Sequence, residues 1–185
     1  MKKTISIIIS IAMCAMLASC GGVKNEVSDT EQPRLMDTMS LEEKVGQILF
    51  VRCVDDEQTD DLMSIKPGGI LMFGRDFEGL TKDEVKEKIQ NYQDKSDIPL
   101  IIGADEEGGT VVRVSSNPNL APGKFKSPQE IYNEGGMDAV VENATEKSEL
   151  LLSLGVNMNL APVADVSTNP SDYMYDRSLG QNAEV

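Results

Sequence analysis

Histidine is absent from the 185 residues. That excludes, within this sequence, a Ser-His-Asp or Cys-His nucleophile system and every metal site that depends on imidazole. Basic residues are few, 17 against 31 acids, for a formal charge of −14. Phosphate binding needs a basic footprint, so the reading is of a protein with no nucleic-acid partner. Cysteine is scarce. Cys14, Cys20 and Cys53 can form neither a disulfide framework nor a four-thiolate zinc site. What is present, 40% hydrophobic and 26% charged residues, is the composition of a globular chain with a real core.

The first twenty residues read as an address. Lys2 and Lys3 precede a mostly apolar stretch, Ile5 to Leu17, interrupted by Ser6, Ser10 and Cys14. A basic start and a short apolar core mark an export signal, and the core is too short to span a bilayer; the alternative is an anchor helix. The stretch ends in Leu17-Ala18-Ser19-Cys20. This resembles the lipobox of bacterial lipoproteins, in which cleavage leaves residues 1–19 behind and the cysteine is lipidated. Several acyl chains on Cys20 would hold the protein firmly at a membrane. Cleavage also removes two lysines and no acid, so a basic patch cannot be the anchor. Residues 20–38 are then a lipidated cysteine and a polar tether carrying Pro33. Cys53 is left as a lone thiol, read as a small buried hydrophobe.

Beyond the tether, helix and strand signals alternate. Ser40-Leu41-Glu42-Glu43 is a capping box opening a helix over 41–47. Ile48-Leu49-Phe50-Val51 reads as a strand buried on both faces. A short helix over 59–65 stops at Pro67-Gly68-Gly69, and Ile70-Leu71-Met72-Phe73 is a second buried strand. Thr81 and Glu84 form another capping box, with Val85, Ile89 and Tyr92 on one helical face. Residues 98–102 lead a third strand into Gly103-Ala104-Asp105. A loop runs over 106–126. Ser127-Pro128-Gln129-Glu130 starts a short helix with proline at its favoured place. A longer helix over 138–154 carries Val140, Ala144, Leu151 and Leu154, and Gly155 ends it. Val156 to Pro162 is the fourth strand. Asn143-Ala144-Thr145 has the form of a glycosylation acceptor but sits mid-helix, and is discarded.

Such alternation implies parallel strands and crossover helices, in either an open doubly wound sheet or part of an eight-stranded barrel. No Gly-x-Gly-x-x-Gly follows the first strand, so the dinucleotide-binding reading has no support. In both architectures function gathers at the carboxyl ends of strands. Those ends carry Gly74-Arg75-Asp76, Asp105-Glu106-Glu107-Gly108-Gly109 and Ala161-Pro162-Val163-Ala164-Asp165. A carboxylate at Asp105 is costly to bury without a partner or ligand. Arg113 can bring a fork of donors to the same opening. The pair is either a structural salt bridge or a ligand site. Glu106 and Glu107 have no fixed metal-ligand spacing and read first as surface or supporting carboxylates. Arg177, in Asp176-Arg177-Ser178-Leu179-Gly180, is a loop-fixing ion pair or a second ligand fork.

At these residues the sequence resembles a known family. Gly-Gly-Ile-Leu-Met-Phe-Gly-Arg (68–75), Asp-Glu-Glu-Gly-Gly-Thr-Val-Val-Arg (105–113), Leu-Gly-Val-Asn-Met-Asn-Leu-Ala-Pro-Val-Ala-Asp-Val (154–166) and Asp-Arg-Ser-Leu-Gly (176–180) look like the N-terminal part of glycoside hydrolase family 3. Order and spacing agree, and residues 39–185 are covered. The compact forms of the first two motifs look most like the bacterial β-N-acetylhexosaminidase branch, with β-glucosidase-like members second. The resemblance implies the N-terminal half of a (β/α)8 barrel and retaining cleavage of terminal β-linked sugars, with no cofactor and no metal.

Carried over residue by residue, Asp105 matches the aspartate that binds sugar hydroxyls, and Arg113 and Arg177 match arginines of the same pocket. Thr110 departs from the family, which commonly has arginine after the two glycines. The larger departure is chemical. The family's acid/base histidine and its nucleophilic aspartate belong to later segments, and this sequence has no histidine. Retaining hydrolysis needs both groups. The expectation is therefore of a C-terminally truncated, lipid-anchored and extracytoplasmic hydrolase, inactive by itself, with its oligomeric state undetermined. The rivals are a non-catalytic sugar-binding lipoprotein and a truncated gene product that does not fold stably.

Overall fold

The computed structural model describes residues 34–52 and 54–184. Residues 1–19, read above as an export signal, and Cys20, Cys53 and the tether up to residue 33 lie outside the described residues. The chain divides into two units, before and after the Thr38–Met39 junction. In the first, α1 (Leu35–Thr38) is one exposed turn with Arg34 paired to Asp37 at 3.4 Å.

The second unit is built on four parallel strands in the order β1-β2-β3-β4: β1 (Phe50–Arg52), β2 (Gly69–Met72), β3 (Ile101–Ala104) and β4 (Met158–Asn159). Helix α2 (Leu41–Gln47) precedes β1, and α3 (Thr59–Ser64), α4 (Lys82–Asp94) and α5 (Pro128–Leu154) connect successive strands. Consecutive strands are neighbours throughout, with no reversal of order. A doubly wound sheet requires such a reversal and a (β/α)8 barrel does not, so the sheet has the arrangement of half a barrel. No described helix is long and apolar enough to cross a membrane.

The capping boxes form as their sequences dictate. Glu43 N–H donates to the Ser40 hydroxyl at 3.2 Å, and Ser40 N–H to the Glu43 carboxylate at 2.8 Å. Thr81 with Glu84 and Ser127 with Glu130 repeat the arrangement at α4 and α5. Helix α5 consists of two helical segments parted where Gly135 and Gly136 leave helical geometry, the short and the longer helix expected from the sequence. Gly155, at φ 93°, closes it.

One face of the sheet is dry. Ile70, Met72, Ile102 and Ala104 are fully buried beneath Val85, Ile89 and Tyr92 of α4 and Leu151 and Leu154 of α5. The register sets Ile70 opposite Ile102 and Met72 opposite Ala104, so these side chains share that face. The other face corrects the expectation of strands buried on both sides. Phe50 and Ile101 are 38% and 41% exposed. The Phe50 ring lies over Gly69 and Gly103; a Cβ on Gly103 would stand 2.5 Å from it.

Boundaries shift for local reasons. Ile48 caps α2, so β1 begins at Phe50. Pro99 cannot donate to a ladder, and β3 begins at Ile101. The fourth strand shrinks to two residues. Around it, side chains replace ladder bonds: Asn157 accepts from Ile102 N–H at 2.8 Å and donates to Leu100 O at 3.1 Å. On α5, Ala144 is exposed, and the buried residues are Lys147, Leu151 and Leu154.

Candidate functional site

The carboxyl ends of the strands open into a polar cleft of about 450 Å³. Its wall includes Asp105, Glu107 and Arg113 from the segment after β3, Asp165 after β4, and Tyr173 and Arg177 from the closing loop. Asp105, Arg113 and Arg177, singled out from the sequence, are thus brought together. The Gly74–Asp76 turn serves elsewhere. Asp76 is buried and accepts from Phe73 N–H at 2.7 Å, which fixes the exit from β2.

Asp105 and Arg113 form an ion pair, Nη2 to Oδ2 at 3.1 Å, and each keeps partial exposure to the cleft, at 20% and 25% of its side chain. The pair is a salt bridge, and it stands in the wall of the cleft. The Arg113 guanidinium lies 5.5 Å from the centre of the Phe73 ring. Its Nε is buried without a hydrogen-bond partner among the described residues.

Glu106 and Glu107 are buried, not at the surface. Glu106 accepts from the backbone N–H of Arg113 at 2.8 Å and of Val114 at 2.7 Å, more weakly from that of Ser115, and also from the Ser115 hydroxyl. A buried carboxylate is satisfied there by backbone donors, and the result is a fixed turn under Arg113. Glu107 faces the other way and takes a fork from Arg177: Nε at 2.9 Å and Nη2 at 2.6 Å. That fork and the nearby charge hold the Arg177 proton even more tightly than usual. Neither glutamate is left with the open oxygens that a metal ligand needs. Among the described residues no cluster of three potential ligands occurs.

Successive residues of Asp105-Glu106-Glu107 point in opposite directions as the chain leaves β3, so Asp105 and Glu107 reach the cleft and Glu106 does not. Asn159 holds that exit: its carboxamide accepts from Glu106 N–H at 3.0 Å and donates to Glu106 O at 3.2 Å. Gly108 then turns the chain at φ 99°, where an added Cβ would meet Lys126 O at 2.2 Å. Arg177 sits on a 3-10 turn, Tyr175–Arg177. Gln129 of α5 donates to Tyr175 O, and Ser167 donates to Asp172 at 2.9 Å, tying that loop down.

Sequence reasoning missed Asn157, Asn159 and Lys147. Two asparagines at alternate positions in an apolar strand were the signal for the first two, since asparagine is depleted in strands. Lys147 is buried in α5 and donates to Glu107 O at 2.8 Å. Desolvation lowers its pKa, opposed by the Glu106 and Glu107 carboxylates. A buried lysine on a helix has no sequence signature of its own.

Comparison with known proteins places the chain among glycoside hydrolases. The β-hexosaminidase LpqI of Mycobacterium tuberculosis is 28% identical over 145 residues, covering 78% of this chain and 36% of that protein. β-Hexosaminidase A of Pseudoalteromonas piscicida is 34% identical over 94 residues, which are 50% of this chain and 16% of that one. The chain thus spans well under half the length of either relative. The solved structure of a family 3 β-N-acetylglucosaminidase from Paenibacillus superposes with a TM-score of 0.68 at 27% identity, over 79% of this chain and 28% of that one. Residues 40–185 match the family model described as "Glycosyl hydrolase family 3 N terminal domain", and the chain belongs to that family.

Proposed function

We propose that this chain supplies the sugar-holding part of a retaining β-N-acetylglucosaminidase, with Asp105, Arg113 and Arg177 as its ligands for the terminal sugar. The observation that carries this is the meeting of both arginines and Asp105 at one polar cleft on the functional end of the sheet. Asp105 accepts sugar hydroxyls. Arg113 donates to sugar oxygens from a turn whose backbone N–H bonds to Glu106, and Arg177 donates from beside Glu107. The names of the relatives favour an N-acetylated amino sugar over glucose. Acid/base and nucleophile come from later family segments, so these residues bind sugar without turning it over. Residues 20–38 tether the domain to a membrane outside the cytoplasm, through lipid on Cys20.

Titration of the chain with N-acetylglucosamine tests this. Binding is expected, and Asp105→Asn should weaken it roughly tenfold to a hundredfold, since charge-assisted bonds contribute about 1.5–3 kcal/mol. An unchanged affinity with a lowered melting temperature would make Asp105 a structural ion-pair partner alone. Fatty-acid labelling of cells tests the anchor: Cys20→Ser should abolish incorporation, and retained label would overturn the lipoprotein reading.

A further inference from the structure

We propose that Glu107, held from behind by Lys147, is a positioning residue that presets the Arg177 guanidinium toward the sugar cleft; this rests on the sugar-site reading above. Arg177 stands on a 3-10 turn in a stretch with little regular structure, so its own backbone neighbours do little to aim it. A free arginine side chain carries much rotamer entropy, which binding would have to remove. Glu107 removes it beforehand. Both of its oxygens are engaged by Arg177, at 2.6 and 2.9 Å, in a planar fork. The fork leaves Nη1 near Met174 Sδ, at 3.5 Å, with the guanidinium 5.7 Å from the centre of the Tyr173 ring.

Glu107 is itself immobilised at three points. Its N–H donates to Val111 O at 3.0 Å, its carbonyl accepts from Lys147 Nζ at 2.8 Å, and its carboxylate is 5% exposed. Lys147 reaches inward from α5, the helix that packs on the dry face of the sheet, and its ammonium lies 5.9 Å from the centre of the Phe125 ring. A line of contacts thus runs from the outer helix through Glu107 to an arginine at the cleft. A buried ion pair is a poor source of net stability, because desolvation offsets the attraction. Its value here is direction. With both oxygens engaged by Arg177, Glu107 acts through that side chain.

The experiment follows the Arg177 side-chain Nε–H by nitrogen-15 NMR in the whole chain and pairs it with N-acetylglucosamine titration. In the unmodified protein this proton should exchange at least about tenfold more slowly than in free arginine, as a hydrogen-bonded, part-buried donor does. Exchange as fast as in free arginine overturns the proposal with no variant needed. Glu107→Gln should speed exchange and weaken binding roughly tenfold to a hundredfold. The double variant Glu107→Gln/Arg177→Met should bind no more weakly than Arg177→Met alone. Additive losses would mean that Glu107 meets the sugar itself, and would overturn the proposal. Lys147→Met should also speed Arg177 exchange; an unaltered rate would remove Lys147 from the chain of contacts. If the unmodified protein binds no N-acetylglucosamine, the sugar-site reading fails, while the exchange rate still decides whether Glu107 fixes Arg177.

Discussion

Glu106 shows how much a single side chain can organise. It has no arginine or lysine within ion-pair distance among the described residues, yet it is fully buried and anchors the turn that begins at Arg113. Glu106→Ala would strand at least two buried backbone donors. Each stranded donor costs about 1–3 kcal/mol, so a loss of about 2–6 kcal/mol is expected in urea unfolding. Glu106→Gln keeps one acceptor oxygen and should cost less. The neighbouring acids are engaged differently, Asp105 with the Arg113 guanidinium and Glu107 with Arg177. The sequence shows three successive acids. It does not show that each engages different donors, because those donors lie seven to seventy residues away.

At the scale of elements, helix starts and glycine turns are local and therefore readable. In the capping boxes of α4 and α5, donors from Thr81 and Ser127 lower the pKa of Glu84 and Glu130 below 4.5. A carboxylate with a depressed folded-state pKa stabilises above its unfolded value, and that contribution is lost as pH falls through the folded one. Melting temperature should therefore drop below pH 4.5, and Glu84→Gln should flatten part of that drop. Gly108 is the turn with least tolerance. Its φ of 99° is strained for any side chain, and the Lys126 carbonyl occupies the space of a Cβ. Gly108→Ala should cost about 1–3 kcal/mol in equilibrium unfolding and weaken sugar binding, because Asp105 and Arg113 flank the displaced turn.

For the whole molecule, the decisive feature is a sheet dry on one side and open on the other. Phe50, Ile101, Met158 and Leu160 each keep 36–41% of their surface exposed. The outer strands β1 and β4 each present an edge unpaired among the described residues. Edges and apolar faces of this kind invite pairing with other chains. Light scattering of the 185-residue protein should report self-association at micromolar concentration. Ile101→Lys combined with Leu160→Lys should reduce it, since charge on that face opposes a second apolar surface. A monodisperse monomer with a sharp thermal transition would contradict this expectation.

The sequence by itself determined the helix starts at Ser40, Thr81 and Ser127, the apolar runs that became β2 and β3, and the ordered motifs that carry the family resemblance. Capping, periodicity and turn chemistry act within a few residues, so a linear reading captures them. Tertiary structure decided the rest. Strand order without a reversal separated the barrel arrangement from the doubly wound one. Pairing across the sheet exposed one face of runs that looked buried on both. The fold alone brought Lys147 under Glu107, and Glu107 against Arg177, across separations of 40 and 70 residues. Burial of a charge is decided by partners distant in sequence, and a single chain of letters does not record which of them meet.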